Sequence, residues 1–355
     1  MNILLLNNYH FIRGGSDSYY FSLADILQQN GHGIRFFSLK DENNFLSIYA
    51  KYFAEPMSFD TKQSIIQKII TAGRMLYSYE NKKKIKRLIK DYPVDIAHAQ
   101  NIYHRVCPSV LDELTKTKIP VVMTLHDYKL GCPIYTFYRN GNVCTKCITD
   151  GKFSVFKNDC TKKSRLLSFF HWLEAEFHKS LNIYVKNIRF FICPSFFSLN
   201  MHLKAGIPEE KLIHIPNFIK VENFDPDYEP GDYILFVGRL YMEKGVLTLL
   251  KAVKGLDIEL KIVGDGPLKD EYEKYVRHEG MTNVTFEGYK SVDELKSLYK
   301  NSAFVVFPSE WYEVFGLIIL EASACGKPVI GSNIGAIPEI IINEKTGLPY
   351  IKKKK

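Results

Sequence analysis

The chain has 355 residues, 46% of them hydrophobic and 24% charged, with a formal net charge of +8. That is the balance of a soluble globular protein, and more chain than a single core ordinarily holds, so two domains are expected. No apolar run reaches the roughly 18–20 residues of a membrane span, and the first one is too short for a signal-peptide core.

The mild basic excess needs no nucleic acid, and none is expected as a partner. Anionic small ligands or an anionic membrane surface account for it equally well. Seven cysteines is an odd number, and they lie in apolar runs or in one local cluster, which argues against a secreted disulfide framework. The expected compartment is the cytoplasm, with a peripheral place on the inner face of the membrane left open.

Short apolar runs alternate with helical segments along the whole chain. In order the runs are residues 2–8, 33–39, 94–100, 120–126, 190–195, 233–238, 260–264, 303–309 and 328–332. Continuous apolar strands between helices predict parallel sheets covered on both faces. Residues 217–232 carry two prolines, several acids and a glycine with no period, and are read as a linker. The expected architecture is therefore α/β, two doubly wound Rossmann-like domains facing a cleft, over residues 1–220 and 230–355.

Ligands of open α/β sheets bind at the carboxyl ends of the strands. Polar, charged or flexible residues recur there. The first run is followed by His10, Arg13, Gly14, Gly15 and Ser16, and the run at 120–126 ends in His126 and Asp127. In the second half come Arg239 with Lys244 and Gly245, then Gly264, Asp265 and Gly266, then Glu310 to Glu313, then Asn333 to Gly335.

Arg239 follows an apolar strand and Lys244 sits just before a helix. Two cations there suit a diphosphate, the arginine binding two oxygens and the lysine acting as a point charge. The alternative is a pair of surface cations, which the neighbouring Glu243 favours. Gly14-Gly15 and Gly264 allow close backbone approach, but neither loop is a complete G-x-G-x-x-G fingerprint. Glu313 and Glu321 bracket seven mostly apolar residues. A helix starting near Phe315-Gly316 puts Glu321 on an apolar, buried element, where a carboxylate needs partners. Ribose hydroxyls would serve, as would a buried lysine or arginine. Glu313, at the strand end, could accept from sugar hydroxyls.

Taken in order, G-G-S after the first strand, T-L-H-D, G-R-x4-K-G, V-G-D-G-P and the paired glutamates followed by A-C-G-K-P-V-I resemble the GT-B glycosyltransferases, specifically the retaining enzymes of glycosyltransferase family 4. The resemblance runs from Met1 to about Tyr350. It implies that Arg239 and Lys244 neutralise the departing diphosphate of a nucleotide-sugar donor. It implies further that Glu321 holds the ribose and Glu313 the sugar, with backbone of Phe315, Gly316, Leu317, Gly264 and Gly15 near sugar and phosphate. His126 would orient the reacting sugar, the alternative being a buried structural histidine bonded to Asp127 or backbone. No nucleophile and no catalytic metal are expected. The acceptor would be a glycan or lipid-linked glycan, and the setting surface polysaccharide assembly. Three rivals are an inactive nucleotide-binding relative, a nucleotide-sugar epimerase and a dinucleotide oxidoreductase.

Three features lie outside that pattern. Cys132, Cys144, Cys147 and Cys160 fall in an insertion at about 130–165, with spacing permissive for a structural zinc. Reduced thiols or an iron–sulfur or redox role are the alternatives. Residues 62–90 hold nine Lys/Arg against one Glu with apolar residues at helical spacing. They predict either a helix lying on an anionic membrane or a solvated face. Lastly, the family resemblance implies some tens of residues beyond Thr346-Gly347-Leu348, where this chain runs into four lysines, so a shortened C-terminus is expected.

Overall fold

The structure is a computed structural model that describes residues 1–57, 64–161 and 164–351. Lys62 and Gln63 of the basic stretch, two residues of the cysteine-bearing insertion and the terminal lysines lie outside the described residues.

The strands are β1 (Asn2–Leu6), β2 (Gly33–Phe37), β3 (Ile96–Ala99), β4 (Val121–Thr124), β5 (Tyr138–Arg139), β6 (Asn142–Val143), β7 (Phe190–Cys193), β8 (Leu212–His214), β9 (Tyr233–Val237), β10 (Glu259–Val263), β11 (Val284–Gly288), β12 (Ser302–Phe307), β13 (Val329–Ser332) and β14 (Gly347–Tyr350). The helices are α1 (Gly15–Gln29), α2 (Ile65–Leu76), α3 (Tyr79–Asp91), α4 (Ser109–Lys116), α5 (Lys146–Thr149), α6 (Ser154–Lys157), α7 (Arg165–Ser180), α8 (Ile183–Asn187), α9 (Phe196–Lys204), α10 (Val246–Val253), α11 (Lys269–His278), α12 (Val292–Lys300), α13 (Leu317–Ala324) and α14 (Ile337–Ile340).

Two six-stranded sheets form, in the orders β2-β1-β3-β4-β7-β8 and β11-β10-β9-β12-β13-β14. Every pairing within them is parallel, for example Leu4 with Ala97 and Leu235 with Lys261. The doubly wound α/β expectation holds in both. The strands read as unbroken apolar runs because helices cover both faces. In β1, Ile3 and Leu5 pack with Tyr20 and Ala24 of α1, while Leu4 and Leu6 join the cluster holding Ile85 and Leu88 of α3. In β9, Leu235 packs with Ile319 and Ala322 of α13, and Phe236 with Leu249 and Leu250 of α10. Each such fully buried side chain contributes roughly 2 kcal/mol of burial.

The chain divides into two compact units that are not contiguous in sequence. The first comprises Met1–Tyr135, Thr145–Pro194 and Ser198–Pro216, and the second Thr136–Cys144, Ser195–Phe197 and the chain from Asn217 onward. The antiparallel β5–β6 hairpin, which is part of the cysteine-bearing insertion, thus belongs to the second unit.

The basic stretch is not one helix. It breaks between α2 and α3, where Ser78 caps α3 by accepting from Asn81 N at 3.2 Å and Ser109 Oγ donates to Ser78 O at 3.0 Å. Capping chemistry overrides the continuous periodicity. Ser64 and Gln67 form a capping box at the start of α2, and Ile66, Ile69 and Ile70 stand 70%, 66% and 56% exposed on it. Among the described residues no helix is long and apolar enough to cross a membrane.

Candidate functional site

In the second unit the strand-end loops touch backbone to backbone. Gly264 has φ +132, and a Cβ there would lie 1.9 Å from the carbonyl oxygen of Gly238. Gly245, at φ +73, would place a Cβ 1.9 Å from Pro308 O. Glycine is required at both positions by conformation and by space. The loops after β9, β10 and β12 are thereby drawn together, and the charged residues they carry come with them.

Lys244 sits on the turn before α10 and Glu313 on the loop after β12. The ammonium donates to Glu313 Oε1 at 2.7 Å, and Ser309 Oγ donates to the same oxygen at 2.5 Å. The pair is largely shielded, with side chains 14% and 8% exposed. The Lys244 ammonium also lies 5.1 Å from the Trp311 ring centroid and 5.8 Å from that of Phe307. Ala336 N donates to Glu313 O at 3.0 Å, fixing the loop from the β13 side. Lys244 is therefore not the surface cation that its neighbour Glu243 favoured. Arg239 is exposed, its guanidinium 4.9 Å from the Tyr241 ring. The two cations differ in availability, one committed to a carboxylate and one facing solvent.

Glu310, three residues before Glu313, accepts from Thr248 Oγ1 at 2.5 Å and from Tyr138 Oη at 3.3 Å, while its own N–H donates to Glu243 O at 2.8 Å. Tyr138 comes from the β5–β6 hairpin. Burial, followed by the charge of Glu310, raises its phenol far above the ordinary range.

Glu321 lies in the middle of α13. Tyr299 Oη of α12 donates to its Oε2 at 2.9 Å. Burial pushes the Glu321 carboxyl up, and the tyrosine bond works against that rise. The partner is a neutral phenol rather than the buried lysine or arginine entertained from the sequence. The α13 surface is also less enclosed than its apolar sequence predicts, since Leu317, Ile318, Leu320 and Glu321 are half-buried while Ile319 and Ala322 are buried. Gly316 precedes α13 at φ +151, and no side chain caps the helix. Its first amides are donors of the kind anions take. Phe315 is buried beside them.

In the first unit Gly15 opens α1 and is exposed. Asp17 in the first turn is buried, accepting from Asn7 Nδ2 at 2.9 Å and Arg13 N at 3.2 Å. Burial raises its carboxyl, and those two partners oppose the rise. His126 follows β4. Its Nε2 is 2.5 Å from Gln100 Oε1, and its ring meets Tyr19 edge-on at 5.2 Å. Burial, with His98 adding to it, pushes the imidazole down to about 3, so it is neutral at pH 7. Its partner is neither Asp127 nor backbone. Gln100 ends the apolar run at 94–100, so the strand-end rule could have found it. Asp127 is pushed up to about 6 by burial. Ser309 and Trp311 stand at the same kind of strand end, whereas Tyr299, inside α12, had no such sequence signal, because its role arises from packing.

The four clustered cysteines are not assembled as ligands. Among the described residues no group of three or more His, Cys, Asp or Glu is arranged to hold a metal ion, and no disulfide forms. Cys144 travels with the β5–β6 hairpin into the second unit, whereas Cys132, Cys147 and Cys160 belong to the first. The zinc expectation thus finds no such ligand group among the described residues.

Two parallel α/β units with charged glycine-rich strand-end loops are the architecture of a GT-B glycosyltransferase. Residues 13–223 match the model of the family described as Glycosyltransferase Family 4, and residues 220–354 that of Glycosyl transferases group 1. The chain belongs to glycosyltransferase family 4. An uncharacterized glycosyltransferase, MJ1178, of Methanocaldococcus jannaschii is 28% identical over 265 residues, 74% of this chain but 63% of that protein. An uncharacterized 42.6 kDa protein in the cps region of Klebsiella pneumoniae is 26% identical over 354 residues, 96% of this chain and 87% of the relative. Among solved structures, Anabaena Alr3699/HepE in complex with UDP and glucose superposes with a TM-score of 0.65 at 16% identity, covering 99% of this chain and 86% of the other.

Proposed function

We propose that the protein transfers a sugar from a nucleotide-sugar donor to a hydroxyl of a glycan or lipid-linked glycan, with retention of configuration, in surface polysaccharide assembly. The observation that carries the reading is the Lys244–Glu313 pair at the end of β12, 2.7 Å apart, with Arg239 exposed after β9. Two cations and a buried acid beside an uncapped helix start form a natural cradle for a sugar diphosphate.

In this reading residues 230–355 are the donor side and residues 1–220 the acceptor side. As the anomeric bond to the diphosphate breaks and the acceptor oxygen bonds to the sugar, negative charge grows on the leaving phosphate. Arg239 and Lys244 stabilise that charge. Glu313, held by Lys244 and Ser309, receives sugar hydroxyls. Glu321 chelates the ribose diol, keeping Tyr299 as its support. Amides of Phe315, Gly316 and Leu317 meet sugar or phosphate, as do the backbones of Gly264 and Gly15. The neutral imidazole of His126 orients the sugar with Gln100 fixing its ring. No enzyme nucleophile and no catalytic metal enter the scheme. The exposed isoleucines of α2 give the peripheral membrane contact a surface, and the cps-region relative supports the polysaccharide setting.

The test is a panel of nucleotide sugars titrated by calorimetry, followed by NMR of the product's anomeric signal. One donor should bind and yield the same anomer. Binding of no nucleotide sugar, or an inverted product, would overturn the proposal.

A further inference from the structure

A cavity of about 440 Å³ opens in the first unit, well inside the size range of small-ligand sites. One wall is the cysteine-bearing insertion, through Ile148, Gly151 and Lys152, and the other is the C-terminal ends of α7 and α9. None of its residues carries a role in the donor chemistry above.

Its lining is basic. Lys152, Lys179 and Lys204 border it against a single acid, Glu176. Lys129 also reaches it, but that ammonium is spent on the buried Glu174 at 2.8 Å. His178 Nε2 donates to Leu76 O at 2.9 Å, and burial holds its imidazole below the ordinary range. It therefore adds no charge at pH 7. Two helix C-termini oppose an anion here, and Lys179 and Lys204, in the last turns of α7 and α9, offset them. Lys152 is left over. It is half-buried and forms no ion pair within 4.0 Å among the described residues.

An ammonium withdrawn from water without a carboxylate is unfavourable unless a ligand supplies the counter-charge. Burial lowers the Lys152 ammonium from its ordinary range. Lys179 and Lys129 act in the same direction, and Glu176 and Cys147 against it. Lysines are point charges without the fork that fits a carboxylate, so a group of them suits a compact, multiply charged anion.

We propose that this cavity is an anion site that takes a phosphate ester, borne either on a small soluble molecule or on a lipid headgroup. The insertion then has a purpose that needs no metal: it carries Lys152 to the cavity wall.

The full chain would be titrated with glycerol 3-phosphate by calorimetry, and with phosphatidic acid in phosphatidylcholine vesicles by sedimentation. Lys152→Met should weaken the responding probe about tenfold. Glu176→Gln should tighten it about threefold at low salt, a gain that a damaged fold does not produce. Lys204→Met, at an exposed position, repeats the loss if Lys152→Met fails to fold. Saturating UDP should leave the response unchanged, separating this cavity from the donor site. A response to glycerol 3-phosphate alone assigns a soluble ester, and one to vesicles alone assigns a headgroup. Equal affinities across the wild type, Lys204→Met and Glu176→Gln, displacement by UDP, or no binding of either probe would overturn the proposal.

Discussion

Replacing Lys244 by methionine removes one half of a shielded ion pair and leaves the other in place. At 2.7 Å the two charges attract by about 6 kcal/mol at an effective dielectric of about 20, much of it offset by desolvation. What remains after Lys244→Met is a Glu313 carboxylate only 8% exposed that still accepts from Ser309 Oγ at 2.5 Å. The expected loss is about 3 kcal/mol, the cost of removing one partner from a buried ion pair. Glu313→Gln should lose only about 1–2 kcal/mol, because the flexible ammonium can turn to water and Ser309 can still donate to the amide oxygen. The double variant should lie within about 1 kcal/mol of wild type. Trp311 is the reporter, since the Lys244 ammonium sits 5.1 Å from its ring. With Trp172→Phe as background, its fluorescence follows urea unfolding around the pair. Effects of the two substitutions that add to within about 0.5 kcal/mol would refute the coupling.

Glu321→Ala should weaken nucleotide binding by about 1–3 kcal/mol, and unchanged affinity by calorimetry in a folded variant removes its ribose role. Gly264→Ala should destabilise the second unit by on the order of 3 kcal/mol through strain and collision with Gly238, whose oxygen would lie 1.9 Å from the new Cβ; a wild-type melting temperature would contradict the backbone contact. Acid should weaken the first unit. Burial holds His126 at about 3 and His10, His98 and His202 at about 4, so their stabilisation is present above the unfolded value of 6.5 and is lost as pH falls towards 4. Asp127, raised from 3.8 to about 6, acts oppositely, its contribution being lost as pH rises through 6, and it offsets only part of the imidazole effect. Trp172 fluorescence in a Trp311→Phe background should give a lower urea midpoint at pH 5 than at pH 7; an equal or higher one counts against these burials. Tyr138→Phe should cost about 1 kcal/mol and speed limited proteolysis at Asn140-Gly141, and unchanged cleavage would mean that Glu310 does not anchor the hairpin.

Apolar runs marked the eight interior strands of the two sheets and one edge strand, β2. The strands that escaped are β8, β11 and β14, each at a sheet edge, and the short β5–β6 hairpin. An edge strand needs only one neighbour and half the apolar surface, so Leu212–His214 and Val284–Gly288 carry little hydrophobic signal. The same distinction runs through the candidate site. Arg239, Lys244 and the two glutamates stand out because charge beside an apolar strand is visible in one dimension. That Lys244 answers Glu313, or that Tyr299 answers Glu321 from 22 positions away, depends on how helices α12 and α13 pack. The split between α2 and α3 was visible in principle, since Ser78 is a strong capping residue, but the periodicity of the flanking apolar residues masked it.

The path of the backbone has a practical consequence for protein engineering. Because Thr136–Cys144 and Ser195–Phe197 cluster with the chain that follows Asn217, the polypeptide passes between the two units several times rather than once. The Phe196 and Phe197 amides donate to the Glu339 carboxylate at 2.8 and 2.6 Å, stitching one of those returning stretches to α14. A chimera that exchanged specificities by a single cut in residues 217–232 would therefore leave two pieces of the acquired unit behind. Grafting has to carry the hairpin and the Ser195–Phe197 tripeptide along with the C-terminal half, or Glu310 arrives without Tyr138 and Glu339 without the two amides that it accepts from.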